Sequence, residues 1–110
     1  MNARHVVLRE VKDGDGSRLL TAKLSDDGEV VIEGWDFGAG VERVFGVREY
    51  EWAWTIPADS VGDLLRAMQA ATDDVLVALR ERFSGEQAAE IGTFLESKRI
   101  PSRRWSRLGE

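Results

Sequence analysis

Acidic side chains crowd around a glycine-rich stretch near the middle of the sequence. Gly34-Trp35-Asp36-Phe37-Gly38-Ala39-Gly40 is preceded by Glu33 and followed by Glu42, Glu49 and Glu51. Carboxylates so placed can converge on a cation or a basic protein surface, or form a solvated face. Glycine-rich loops can also cradle phosphate at a helix start, but this one lacks the dinucleotide spacing and no P-loop lysine follows. A turn or bulge at a strand end, or a partner-binding loop, is the better account. Glu33, Trp35, Asp36, Glu42, Glu49 and Glu51 are therefore the candidate partner-binding residues. A second set closes the chain, where Lys98, Arg99, Arg103, Arg104, Trp105 and Arg107 mix cations with an aromatic ring. That composition suits a single-stranded nucleic-acid contact, which makes Arg103, Arg104, Trp105 and Arg107 the nucleic-acid alternative. Cations after a last helix also complement its negative end, with Trp105 and Leu108 folding back onto the domain.

Other sets fail on chemistry. Asp13-Gly14-Asp15-Gly16-Ser17 opens like a calcium loop, but Arg18 stands where glycine is needed and Leu24 where the bidentate acid belongs. It is a hairpin turn instead. His5 is the only histidine and there is no cysteine. A histidine pair, a cysteine zinc site, a thiol nucleophile and a disulfide framework are thereby excluded, and a serine triad would rest on a residue near the terminus. Acid pairs alone do not make a glycosidase, which needs two carboxylates at a set separation beside a sugar cleft. The expectation is no enzyme, no cofactor and no metal.

Charge is unevenly spread along the 110 residues. Residues 1–97 hold 10 basic and 19 acidic side chains, a net of −9, whereas residues 98–110 hold 5 and 1, a net of +4. An acidic body disfavours duplex binding, which depends on Lys and Arg displacing counterions, and suits a basic partner. Met1-Asn2-Ala3-Arg4-His5 runs straight into strand-like sequence without a leader's apolar stretch, and no segment nears the roughly 20 apolar residues of a membrane span. With no cysteine to suggest an oxidising compartment, a cytoplasmic location away from membranes is expected.

The elements that must position these groups follow from periodicity. Alternation predicts strands through Val6–Val11, Leu20–Leu24, Val30–Trp35 and Val47–Ile56, with turns at Asp13–Ser17 and Ser25–Gly28. Connections this short force antiparallel pairing. Tyr50, Trp52, Trp54 and Ile56 share one face of the last strand and should pack in the core, leaving Glu49 and Glu51 to solvent. Val41–Phe45 permits one helical turn or a short extra strand. Beyond Pro57, three apolar stripes predict helices after Asp59 or Ser60, after Thr72, and after Ser84, where Ser84-Gly85-Glu86-Gln87 has capping-box spacing. Strands first and helices afterwards make one α+β domain over residues 1–110. It comprises an antiparallel meander of about four strands in 1–56, about three helices in 57–100 and a basic tail in 101–110.

Gly34-Trp35-Asp36-Phe37-Gly38, with Tyr50-Glu51-Trp52 and a helical second half, resembles small uncharacterised bacterial domains that carry a Gly-x-Asp-x-Gly loop before a Tyr-Glu-aromatic strand. The likeness spans about residues 30–66 and implies a bacterial source, without an activity or a catalytic residue. Small acidic domains of this kind are also similar in type to immunity proteins that neutralise bacterial toxins. Together these observations lead to a non-enzymatic protein-binding module, immunity-like, whose acidic surface engages a basic partner. A nucleic-acid-associated or regulatory protein using the basic tail is the alternative, and homo-oligomerisation is left open.

Overall fold

The turns place the strands side by side. A computed structural model describes residues 4–109, so the expectation about a leader at Met1-Asn2-Ala3 lies outside the described residues. Strand β1 (Arg4–Asp13) turns through Gly14-Asp15 into β2 (Gly16–Leu24). Asp13 Oδ1 accepts the Asp15 backbone N–H at 2.8 Å, and Gly16 sits at φ 130°, where a side chain would be strained. Ser25 Oγ accepts the Glu29 N–H at 3.1 Å in the turn leading to β3 (Val30–Phe37). Helix α1 (Ala39–Phe45) follows and resolves the Val41–Phe45 ambiguity in favour of helix, with none of its residues buried. Strand β4 (Glu49–Ile56) completes the expected meander.

A short 3₁₀ segment, Ala58–Ser60, leads into α2 (Val61–Ala67), then come α3 (Val75–Arg82), a 3₁₀ segment Gly85–Glu90, and α4 (Ile91–Ser97). The caps differ in detail from expectation. Asp74, not Thr72, caps α3, accepting the Leu76 and Val77 N–H groups at 3.1 and 3.3 Å, while Thr72 Oγ1 accepts the Asp74 N–H at 3.0 Å. Ser60 makes no side-chain cap. The capping box at Ser84 does not form, because its hydroxyl donates backwards to the Arg80 carbonyl, and the following residues wind as 3₁₀ before α4 begins.

The expected α+β architecture is present, with a fifth strand in addition to the four. Arg99 at φ 57° reverses the chain, with the Ile100 N–H closing onto the Leu95 carbonyl at 2.9 Å, and buried Ile100 pins the reversal. The basic tail then becomes β5 (Arg103–Gly109), antiparallel to β4, and the sheet runs β1-β2-β3-β4-β5.

Register sorts the side chains into two faces. Val30 and Ile56, then Ala22, Ile32 and Trp54, occupy successive inner rows, and these pack with Leu64, Leu76, Leu79 and Leu95 of the helices into one core. The aromatic stripe faces the helical layer as expected, yet only Ile56 of it is fully enclosed. The β1–β2 register slips between Val7 and Arg9, so Leu8 is an extra residue driven into the core, and Arg9 falls opposite Leu20 on the inner face.

Candidate functional site

Among the described residues, no helix covers the outer face of the sheet. Every fully buried strand residue lies on the inner side, and no outer-row residue is buried. Its two central rows run Val7, Thr21, Glu33, Ala53, Trp105 and Glu10, Leu19, Trp35, Glu51, Arg107, and the next row brings Phe37 beside Glu49. Trp105 is 53% exposed and Phe37 36%. Trp35 and Phe37 stack at 5.5 Å between ring centres, the Arg48 guanidinium lies 5.6 Å over Phe37, and Trp35 Nε1 donates to Glu49 Oε2 at 2.8 Å. The indole is thereby fixed in orientation.

Sequence expectation placed an acidic set near the middle of the chain and a basic set at its end, and folding sets them on neighbouring strands. Glu33, Trp35, Glu49 and Glu51 come together on the outer face, and so do Arg103, Trp105 and Arg107. Arg107 pairs with Glu51 at 2.5 Å and lies 3.9 Å from Glu49. Arg103 pairs with Glu29 at 3.0 Å and Lys23 with Glu33 at 3.1 Å. Lys12, Lys23, Arg103 and Arg107 match Glu10, Glu33, Glu49 and Glu51 in number on this face, so the acids do not form a bare negative patch. Three predicted residues stand apart. Glu42 lies on α1, 3.7 Å from Arg48. Arg104 turns to the inner face, 4.8 Å over the Trp54 ring and 3.1 Å from Glu96. Asp36 also lies inside.

Around Asp36 the inner face is only partly covered. The helical layer ends at the row of Arg9, Leu20, Gly34 and Trp52, and beyond it Val11, Arg18 and Asp36 line an open cleft. One end, about 190 Å³, is walled by Trp52, Ala88 and Ile91. The other, about 220 Å³, is walled by Val41, Val44 and Phe45 of α1, and Phe45 stacks on Tyr50 at 5.1 Å. Burial pushes the Asp36 carboxyl above its ordinary value, against the opposing pull of Arg18 and Arg9. Arg9 and Arg18 were not singled out by sequence. Arg18 was within reach, since it is in phase with Leu20, Ala22 and Leu24; Arg9 was hidden by the bulge.

Among the described residues no group of three or more His, Cys, Asp or Glu could hold a metal, and no helix is long and apolar enough to cross a membrane. The chain matches no family model, no curated protein and no solved structure.

Proposed function

We propose that the chain is a non-catalytic protein-binding module that docks through the open face of its five-stranded sheet. The observation carrying this is that uncovered face, where Trp35, Phe37 and Trp105 lie among glutamates already paired with lysine and arginine. Aromatic side chains framed by charge are what interfaces use as anchors and rims. Because the face is balanced, binding strength would come from burying the rings, and charge would act at longer range. A chain of net −5 repels a second copy and draws in a basic protein. A toxin domain of the kind that immunity proteins neutralise is one partner of that description. The nucleic-acid alternative is weaker, since Arg103, Arg104 and Arg107 are each held by a glutamate that a phosphate would have to displace.

The test is capture of a partner from native cells, at low and moderate salt, with the wild-type chain, Trp105→Ala and Phe37→Ala as bait. A basic protein held by wild type and lost by both variants, at unchanged melting temperature, supports the docking role. Retention by both variants overturns it, and nuclease-sensitive recovery would favour nucleic acid.

A further inference from the structure

The cleft lies on the inner face and shares Phe37 with the docking surface, and its two arginines draw on Asp36 only from beyond ion-pair distance. Arg103, Arg104 and Arg107 each hold a glutamate, yet neither Arg9 nor Arg18 forms an ion pair with any described residue. This is unexpected in a chain with 20 acids for 15 Lys and Arg. Arg9 reaches the cleft only because of the bulge at Leu8. With regular alternation it would point to the opposite face from Val6 and Leu8. Bulges interrupt the ladder and re-aim side chains, and they concentrate beside functional sites. Arg18 occupies a place in the inner row that Leu20, Ala22 and Leu24 fill with apolar groups. Two devices therefore converge guanidinium groups on one spot of the sheet.

We propose that this cleft is a binding site for a small oxyanion, a carboxylate or phosphate joined to a compact apolar body, with Arg9 and Arg18 as the anion's donors. Guanidinium forks match both anions in geometry and donate charge-assisted hydrogen bonds to them. The body would rest in the end walled by Trp52, Ala88 and Ile91, beside Leu20. Asp36 leaves the three-residue set at net +1 within an acidic protein, which favours a single anionic group and offers an acceptor to any donor the ligand carries. Its partial desolvation is consistent with a sheltered site. The acids at the mouth do not compete for the arginines. Asp15 is held by Arg43 at 2.8 Å, and Asp13 accepts the Asp15 N–H. The end that would take the body, about 190 Å³, is below the roughly 300 to 1,000 Å³ of a drug-sized pocket, so that body is compact.

Two-dimensional ¹H–¹⁵N spectra of the full chain, titrated with benzoate, phenyl phosphate, inorganic phosphate and benzylamine, test the assignment. Benzoate or phenyl phosphate is expected to move the Trp52 indole resonance, and benzylamine is not. Arg18 is exposed, so Arg18→Gln should keep the fold and weaken binding about tenfold or more, the loss of one charge-assisted hydrogen bond. Arg9→Gln should do the same, and if that variant unfolds, Arg18→Gln carries the test. Asp36→Asn should tighten binding. Inorganic phosphate binding as well as phenyl phosphate would make the free anion the ligand; weaker binding would assign the ring-bearing compound. The proposal is overturned if no anion moves Trp52, if benzylamine binds as well as benzoate, or if Arg18→Gln binds like wild type.

Discussion

The Trp52 indole lies across Gly34, its register partner on β3, and a Cβ placed on Gly34 would stand 2.1 Å from Cε2 of the ring. Glycine here serves close approach, since φ is not in the left-handed region. The ring thereby covers a buried stretch of backbone and forms one wall of the cleft.

Gly34→Ala should consequently destabilise the protein by about 1 to 3 kcal/mol, the usual cost of overpacking, because Trp52 must tilt away. Urea unfolding measures this directly. In a Trp52→Ala background the same substitution should cost much less, since the obstructing ring is gone. Equal costs in the two backgrounds would mean that the indole does not lie on Gly34.

Gly92 poses a contest between two effects. A Cβ there would stand 2.5 Å from the Trp54 ring edge, whereas alanine in a helix gains roughly 1 kcal/mol over glycine. Gly92→Ala is expected to be destabilising, but by less than Gly34→Ala, since the propensity gain offsets part of the clash. A variant more stable than wild type would show that Trp54 yields freely.

The fold's legibility follows from where each force acts. Val30–Trp35 and Tyr50–Ile56 declared themselves because burial on one face imposes period two. β5 did not, because Arg103–Gly109 presents exposed side chains on both faces and joins the sheet through its backbone. Nothing in Ser84-Gly85-Glu86-Gln87 showed that its hydroxyl would turn back to Arg80. At the site, the outward direction of Glu49 and Glu51 was readable from the stripe beside them. Their neutralisation by Arg107, from the far end of the chain, was a tertiary event. Arg9's entry to the cleft required a one-residue slip that no local pattern encodes.

Asp74 joins the helical layer to the edge of the sheet. Its carboxylate caps α3 and accepts from Arg4 at 2.7 Å, and the Arg4 bond, followed by the Val77 and Leu76 amides, holds its pKa below the ordinary 3.8. A depressed folded value means stability present above the unfolded pKa and lost as pH falls through the folded one. Asp74→Ala should cost about 1 kcal/mol at neutral pH, a typical cap loss, with the gap to wild type narrowing under acid conditions below pH 3.8. Thermal unfolding across pH would reveal it. A gap that stayed constant into strong acid would argue against an ionised cap.

Asp36 has the opposite sign. Burial raises its pKa, so the folded protein holds this proton more tightly than the unfolded chain does. Its contribution to stability is therefore most favourable below the unfolded value and declines as pH rises through the folded one. Asp36→Asn, which keeps the shape and removes the charge, should be more stable than wild type at neutral pH. That advantage should fade as the solution is acidified through the carboxylate range. Arg9 and Arg18 limit the effect by favouring the ionised form. An Asp36→Asn protein less stable than wild type at neutral pH would mean that those attractions outweigh burial.

Removal of residues 102–110 asks whether β5 is part of the fold. The strand pairs with β4 from Thr55 to Glu49, sets Arg104 over Trp54 and brings Arg107 to Glu51. Exposed ion pairs of this kind contribute little each. The main loss would be the backbone ladder and the cover over β4, which would become an exposed sheet edge. The truncated chain should still fold on its inner core but melt at a lower temperature, each kcal/mol lost costing roughly 4 °C or more in a domain of this size. It should also self-associate more readily, because the three arginines of β5 no longer guard that edge. Arg103→Gln combined with Arg107→Gln should, by contrast, leave the melting temperature within a few degrees of wild type. A truncation as stable and as monomeric as the full chain would place residues 102–110 outside the folded unit.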